Sequence, residues 1–404
     1  MAGYCAARLA AEALEPRASR TAMTRHERIT LPADRPGNAT LRVAVHIGIG
    51  SLPKRYDQLF AEGARQSVFL SRPWFANLVD HAVGDSGEPR FYALERGDGM
   101  ALALLAMLRP VDEPRALRAL AASYTCDFAP IIDAAGLRAH GLAPGQALET
   151  IARAIRAEKP AWTSVRLDYL PEDQPLYAEL CDAFGAAGYA VGRYRNFANW
   201  FEPVEAPTLE AYMARRPSAL RNTIKRKTRK LEQSGDSGFE LVSTAAGLKA
   251  GLESYERIYA TSWKDPEAFP RFIPGLMRAM ADQGWLRLGI MHVNGEPAAA
   301  QLWLVAGGRA VIYKLAYDPR FAPMSVGSIL TLRMMEQAIE ADGVTEIDYG
   351  SGDDPYKKDW MSRRRERWGM VAFHPFSLKG ILGIGRHGAG RAVAALRGLI
   401  GRPR

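Results

Sequence analysis

Two glycine turns constrain this chain more than any other feature. Asn294-Gly295 and Gly307-Gly308 divide an apolar stretch into three runs, "WLRLGIMHV", "AAAQLWLVA" and "AVIYKLAYD". Two-residue turns that accept positive φ join neighbouring antiparallel strands, so the runs form a meander. Before it, "FELVST" reads as a strand. The breakers Asp265-Pro266 and Pro270 then separate a helix from Ala246 to about Trp263 from another at Arg271 to Gln283. After the meander, Ile329, Leu330, Leu332, Met334, Met335, Ala338 and Ile339 recur at the spacing of a packed helix, closed by Gly343. "TEIDYG" supplies a short strand, "DPYKKDWM" a helical turn and "RWGMVAFH" a last strand. The order is β-α-α-β-β-β-α-β-α-β.

The first half repeats that order more faintly. "LRVAVHIG" is a strand, helices fall around Pro53 to Ala64 and Pro73 to Ala82, and "RFYALERGDGMALALLAMLRP" is a hairpin turning at Gly97-Asp98-Gly99. A third strand lies near Leu117 to Tyr124, "APGQALETIARAIRAE" is a helix, and "TSVRLDYL" is a strand. "VRLDYL" stands against "TEIDYG" with Asp168 180 residues before Asp348, and Gly145 lies 182 residues before Gly327. At 404 residues the chain exceeds one typical core. The repeat predicts two tandem α/β (α+β type) domains, each a mixed, mostly antiparallel sheet flanked by helices. Two unrelated α/β domains are the alternative. The expected boundaries are a disordered extension over 1–39 (Met23 being an alternative start), a first domain at 40–210, a basic connector at 211–237, a second domain at 238–375 and a basic, Gly-rich tail at 376–404.

Three cysteines and seven histidines show no metal-like or disulfide-like spacing, which argues against a metal enzyme and fits a reducing cytoplasm. No run of about eighteen apolar residues marks a membrane span. The net charge of +9 favours anionic partners. Its densest source is "ARRPSALRNTIKRKTRKLEQ", with Arg215, Arg216, Arg221, Lys225, Arg226, Lys227, Arg229 and Lys230 on a helix whose apolar edge is Leu220, Ile224 and Leu231. It reads either as a solvated connector or as a platform on which Lys225, Arg226 and Arg229 meet phosphates, RNA or a polyanionic acceptor.

Chemistry concentrates in two places. "MSVGS", Met324 to Ser328, opens a helix whose N-terminus presents unpaired N–H groups and a dipole favourable to anions. Gly327 allows close backbone approach, and Ser325 and Ser328 cap the helix or bind a phosphate; a plain cap accounts for these residues equally well. "DYGSGDDPYKKDW", Asp348 to Trp360, follows a strand, where binding side chains tend to sit. There Tyr356 is placed to give a proton to a leaving thiolate or alkoxide. Asp348, Asp353 or Asp354 would take one from an amine, and Lys357 and Lys358 would offset negative charge. The structural reading is a polar loop with Asp353 or Asp354 capping a short helix that starts at Pro355. Tyr255, Tyr259 and Trp263 recur every four residues, as a core face or, for Tyr259 and Trp263, as a substrate platform.

These elements, with "PMSVGSILTLRMMEQAIE" and "IDYGSGDDPYKKDW", resemble the GNAT acyltransferase superfamily, and within it the FemAB-like branch that includes CelD-like proteins of cellulose biosynthesis. The resemblance extends over roughly 40–375 in architecture and is specific mainly over 213–361. It implies transfer of an acyl group, acetyl foremost, from acyl-CoA to the amine of a small-molecule, glycan or peptide acceptor, with no metal. Ser325, Val326, Gly327 and Ser328 would hold the pantetheine-pyrophosphate together with Tyr317. Val311 to Tyr317 and Thr345 to Tyr349 would be the splayed strands that polarise the thioester. Tyr356 would protonate the thiolate, Asp348 or Asp353 would accept the amine proton, and Lys357 would handle donor or acceptor. The fuller glycine pattern of acetyl-CoA loops is absent, which leaves aminoacyl-tRNA as the alternative donor. A third reading is a non-catalytic factor of envelope-polysaccharide assembly in the cytoplasm, its tail "SLKGILGIGRHGAGRAVAALRGLIGRPR" either lying on the inner membrane face or forming a C-terminal helix with frayed ends. The first domain has "PEDQPLY" where the second has "SGDDPYKKDW", so it is expected to be degenerate and to wall the acceptor cleft. Nothing in the pattern addresses oligomeric state.

Overall fold

The meander forms as its turns dictate, Asn294 and Gly295 both at positive φ. In the computed structural model, which describes residues 31–32, 41–233, 235 and 237–377, the strands in chain order are β1 (Leu31–Pro32), β2 (Arg42–Ile47), β3 (Gly87–Glu95), β4 (Ala101–Pro110), β5 (Ala116–Ala119), β6 (Ile131–Ile132) and β7 (Ser164–Pro171). They continue with β8 (Ala190–Pro203), β9 (Ser237–Val242), β10 (Leu286–Val293), β11 (Glu296–Ala306), β12 (Arg309–Tyr317), β13 (Glu346–Asp348) and β14 (Arg363–Phe373). All lie in one sheet ordered β1-β2-β3-β4-β5-β7-β14-β8-β13-β12-β11-β10-β9, with β6 on β4.

Apart from β1 and β6, that order reads alike from both ends. The first half runs β2-β3-β4-β5-β7 and is completed by β14; the second runs β9-β10-β11-β12-β13 and is completed by β8. Each half therefore lends its last strand to the other, and β8 and β14 pair antiparallel from Phe201–Arg363 to Ala190–Phe373. The parallel pairs occupy equivalent places, β5 with β7 and β12 with β13. The strand β8 and the helix before it, Pro175–Ala186, are additions to the elements expected from sequence.

Apolar packing joins the halves as well. Trp74, on the helix Arg72–Leu78, meets Phe272 edge-on at 5.6 Å and Tyr313 at 6.0 Å, and Asn77 donates to the Phe272 carbonyl at 3.1 Å. On a second core, Ile224 and Leu231 of the basic helix Ser218–Gln233 bury beside Ile329, Leu330 and Met334 of the helix Val326–Glu336. This apolar edge leaves Lys225, Arg226 and Arg229 exposed. Arg215 and Arg216 precede that helix, and Arg216 is buried in an ion pair with Glu202 of β8, so it serves the fold rather than a platform.

Leu31–Pro32 pairs with β2 within the stretch expected to be disordered. The rest of 1–30 and 33–40, and the tail from 378, lie outside the described residues. Among the described residues no helix is long and apolar enough to cross a membrane.

Candidate active site

The parallel ladder of β12 and β13 is short. Arg309, Ala310 and Val311 pair with Glu346, Ile347 and Asp348; β13 then ends while β12 runs on to Tyr317. A bulge in β12 leaves Tyr313 out of register, since Leu302 faces Lys314 and Trp303 faces Ile312. The parting strands open a cavity of about 340 Å³. Its walls are Ile312 to Leu315 of β12, then Tyr349, Ser351, Asp354, Tyr356 and Lys357 after β13, then Trp263 and Lys264, and finally Ser123, Tyr124 and Cys126 from the first half.

Of the four residues expected to be catalytic, Tyr356 and Lys357 reach this cavity and Asp348 and Asp353 do not line it. Tyr356 is 44% exposed and meets Tyr349 edge-on at 5.8 Å. Lys357 is only 4% exposed. Its ammonium donates to the carbonyls of Ser351 (2.6 Å), Gly352 (3.3 Å) and Tyr349 (3.4 Å) and lies 3.3 Å from Asp354, so it fastens the loop. Asp348 is buried with both oxygens engaged: Oδ1 accepts from Asn199 Nδ2 and Gly350 N, each at 2.6 Å, and Oδ2 from Arg365 at 2.6 Å. Burial pushes its carboxyl up, but the guanidiniums of Arg365, Arg309 and Arg367 more than offset this and hold it below the ordinary value. So committed, and outside the cavity wall, this carboxylate serves as a buried counter-charge. Asp353 is tied to Trp200 Nε1 at 2.7 Å and Arg364 at 2.8 Å, and Asp354 is the loop carboxylate that lines the cavity. The short helix is Lys357–Trp360, with Tyr356 rather than an aspartate at its N-cap.

The anion-binding reading falls on the helix Val326–Glu336. Ser325 takes the left-handed conformation (φ 59°) between it and a 3-10 turn, and its own side chain makes no cap hydrogen bond. A Cβ on Gly327 would stand 3.3 Å from the Tyr317 ring, which also meets the Trp263 ring at 4.6 Å. Val326 is buried in the core, which leaves Ser325, Gly327 and Ser328 as the partly exposed members. Trp263 lies beyond the end of its helix and is 56% exposed, whereas Tyr255 is core and Tyr259 packs on it at 5.8 Å without lining the cavity. Lys225, Arg226 and Arg229 are not in the cavity wall either. Their neighbour Lys227 donates to the Pro323 carbonyl at 2.7 Å, setting the basic helix beside the turn at Ser325.

Other polar groups at the site were not singled out in the sequence. Tyr124 donates to Glu267 at 2.5 Å, and both Glu267 oxygens accept from Lys314 at 2.8 and 3.1 Å. Lys264 stands half-buried beside them, and burial followed by the charge on Lys314 pushes it down to about 8. Burial also pushes the Cys126 thiol up to about 12, so it is a neutral wall group rather than a nucleophile. Lys264 had one local signal, its place in the Pro-flanked break between two helices. The others had none, because non-local packing brings them together.

Residues 218–358 match the family described as an acetyltransferase (GNAT) domain, a stretch that includes the helix Val326–Glu336, the β12/β13 splay and the loop through Lys357. The crystal structure of FemX superposes with a TM-score of 0.56 at 13% identity, covering 79% of this chain and 96% of that one. The C-terminal domain of a putative lysylphosphatidylglycerol synthetase from Agrobacterium fabrum gives 0.50 at 12% identity, covering 80% and 95%. These likenesses are of fold, and they extend over both halves. No curated protein matches the chain. The stretch 218–358 is thus similar to a GNAT acetyltransferase domain. More narrowly, that stretch is set in a chain whose fold is similar to that of FemX.

Proposed function

We propose that the protein transfers an acyl group, acetyl foremost, from acyl-CoA to the amine of an anionic or envelope-related acceptor. The observation that carries this reading is the parting of β12 and β13 directly over a cavity rimmed by Tyr356. Among the described residues the β12/β13 ladder ends at Val311, and the edge of β12 beyond it would offer backbone groups to a thioester entering between the strands. The donor phosphates would lie at the turn of Ser325, Gly327 and Ser328, with pantetheine passing Tyr317 and Trp263.

The acceptor nitrogen attacks the thioester carbon, forming the C–N bond as the C–S bond breaks. Asp354 takes the amine proton and Tyr356 supplies one to the departing thiolate. Lys357 holds the loop that carries both. The exposed face of Lys225, Arg226 and Arg229 favours one alternative, an aminoacyl-tRNA donor, because a basic helix beside the anion-binding turn suits a polyanion. Thiol release from acetyl-CoA across an amine panel, run against charged tRNA as donor, separates the two.

A further inference from the structure

We propose that Lys264 binds the acceptor: its ammonium receives a carboxylate or phosphate borne by the acceptor molecule, so that the amine acylated belongs to a small anionic compound. This rests on the acyl-transfer reading of the same cavity.

Three lysines line the cavity, Lys264, Lys314 and Lys357. Lys314 is neutralised by both oxygens of Glu267, and Lys357 by Asp354 and three carbonyls. Three ammoniums against two carboxylates leave one positive charge, and it falls on Lys264. That ammonium faces the Trp263 ring at 5.9 Å, and among the described residues it forms no ion pair. Setting an unpaired charge into a partly desolvated wall, next to another cation, is unfavourable unless something outside the protein compensates it.

The donor does not supply that compensation. Its phosphates are assigned to the turn at Gly327, which adjoins the Tyr317 ring rather than Lys264. The negative charge in the cavity therefore belongs to the other substrate. Trp263 beside the ammonium adds an exposed aromatic plate on which the body of such an acceptor can lie.

The test uses matched acceptors that differ in the anionic group: glycine against glycinamide, and glucosamine 6-phosphate against glucosamine. Acetyl-CoA thiol release is the readout. The charged member of one pair should be preferred, which also tells carboxylate from phosphate. Lys264→Met should raise its KM about tenfold or more, the scale of a lost charge-assisted hydrogen bond. The KM for acetyl-CoA and for the neutral member should stay within about twofold, and Lys264→Arg should restore the charged acceptor. If Lys264→Met moved charged and neutral acceptors alike, or moved acetyl-CoA instead, the assignment would be overturned. A second measurement decides even if no acyl transfer is seen, an outcome that would count against the acyl-CoA reading alone. Labelling of Lys264 by an amine reagent, read by mass spectrometry, should be suppressed by inorganic phosphate or acetate and not by glycinamide. Equal labelling in all three contradicts the proposal.

Discussion

Val311 and Asp348 face each other as the last pair of the β12/β13 ladder, and Asp348 is also where the two halves meet. Asn199 of β8 and Arg365 of β14 both reach its carboxylate at 2.6 Å. Asp348→Asn would leave Arg365 and Arg309 short of a buried counter-charge, at a cost of about 3–5 kcal/mol in urea unfolding. The wild-type carboxyl titrates lower folded than unfolded. It therefore contributes stability above the unfolded value, near 3.9, that is lost as pH falls through and below it. The urea midpoint should drop more steeply on acidification in the wild type than in Asp348→Asn.

Tyr356→Phe removes only the hydroxyl from a residue at the cavity rim. Steady-state kinetics should show kcat lowered by about 10²-fold or more, the scale of a lost general acid, with the KM for acetyl-CoA nearly unchanged.

The exchange of β8 and β14 makes the halves one cooperative unit. A fragment holding only 238–375 lacks β8, the antiparallel partner of both β13 and β14. It should fail to give a sharp unfolding transition by itself, and the full chain should melt in a single one by calorimetry.

Lys264 is held at about 8 by burial and by Lys314, lower than an unfolded lysine. The protonated side chain therefore opposes folding below about pH 8, and the penalty fades as pH rises toward the unfolded value near 10.4. Lys264→Met should raise Tm at pH 7, and the gain should shrink by pH 10.

What could be read in the sequence was what neighbouring residues decide. The Asn294-Gly295 and Gly307-Gly308 hairpins, the helix opening at Val326 and the loop bearing Tyr356 all announce themselves within a few positions. The strand β8, "AVGRYRNFANWFEP", has no clean alternation, because it is central and its arginines and aromatics are matched by β14 about 170 residues on. Asp348 looked like a base from its place after a strand, yet its partners Asn199 and Arg365 are unforeseeable from that place. Lys264 acquires its meaning only from Lys314, Glu267 and Trp263 around it.

The splay and the turn at Gly327 are proposed to receive an acyl-CoA. Calorimetric titration of the full chain with coenzyme A tests it most directly, beside Gly327→Glu, whose added carboxylate would occupy the anion-binding helix end and crowd Tyr317. The wild type should bind saturably, between about 1 μM and 1 mM, and the variant not at all. Absence of coenzyme A binding by the wild type, with charged tRNA binding in a steeply salt-dependent way, would contradict it.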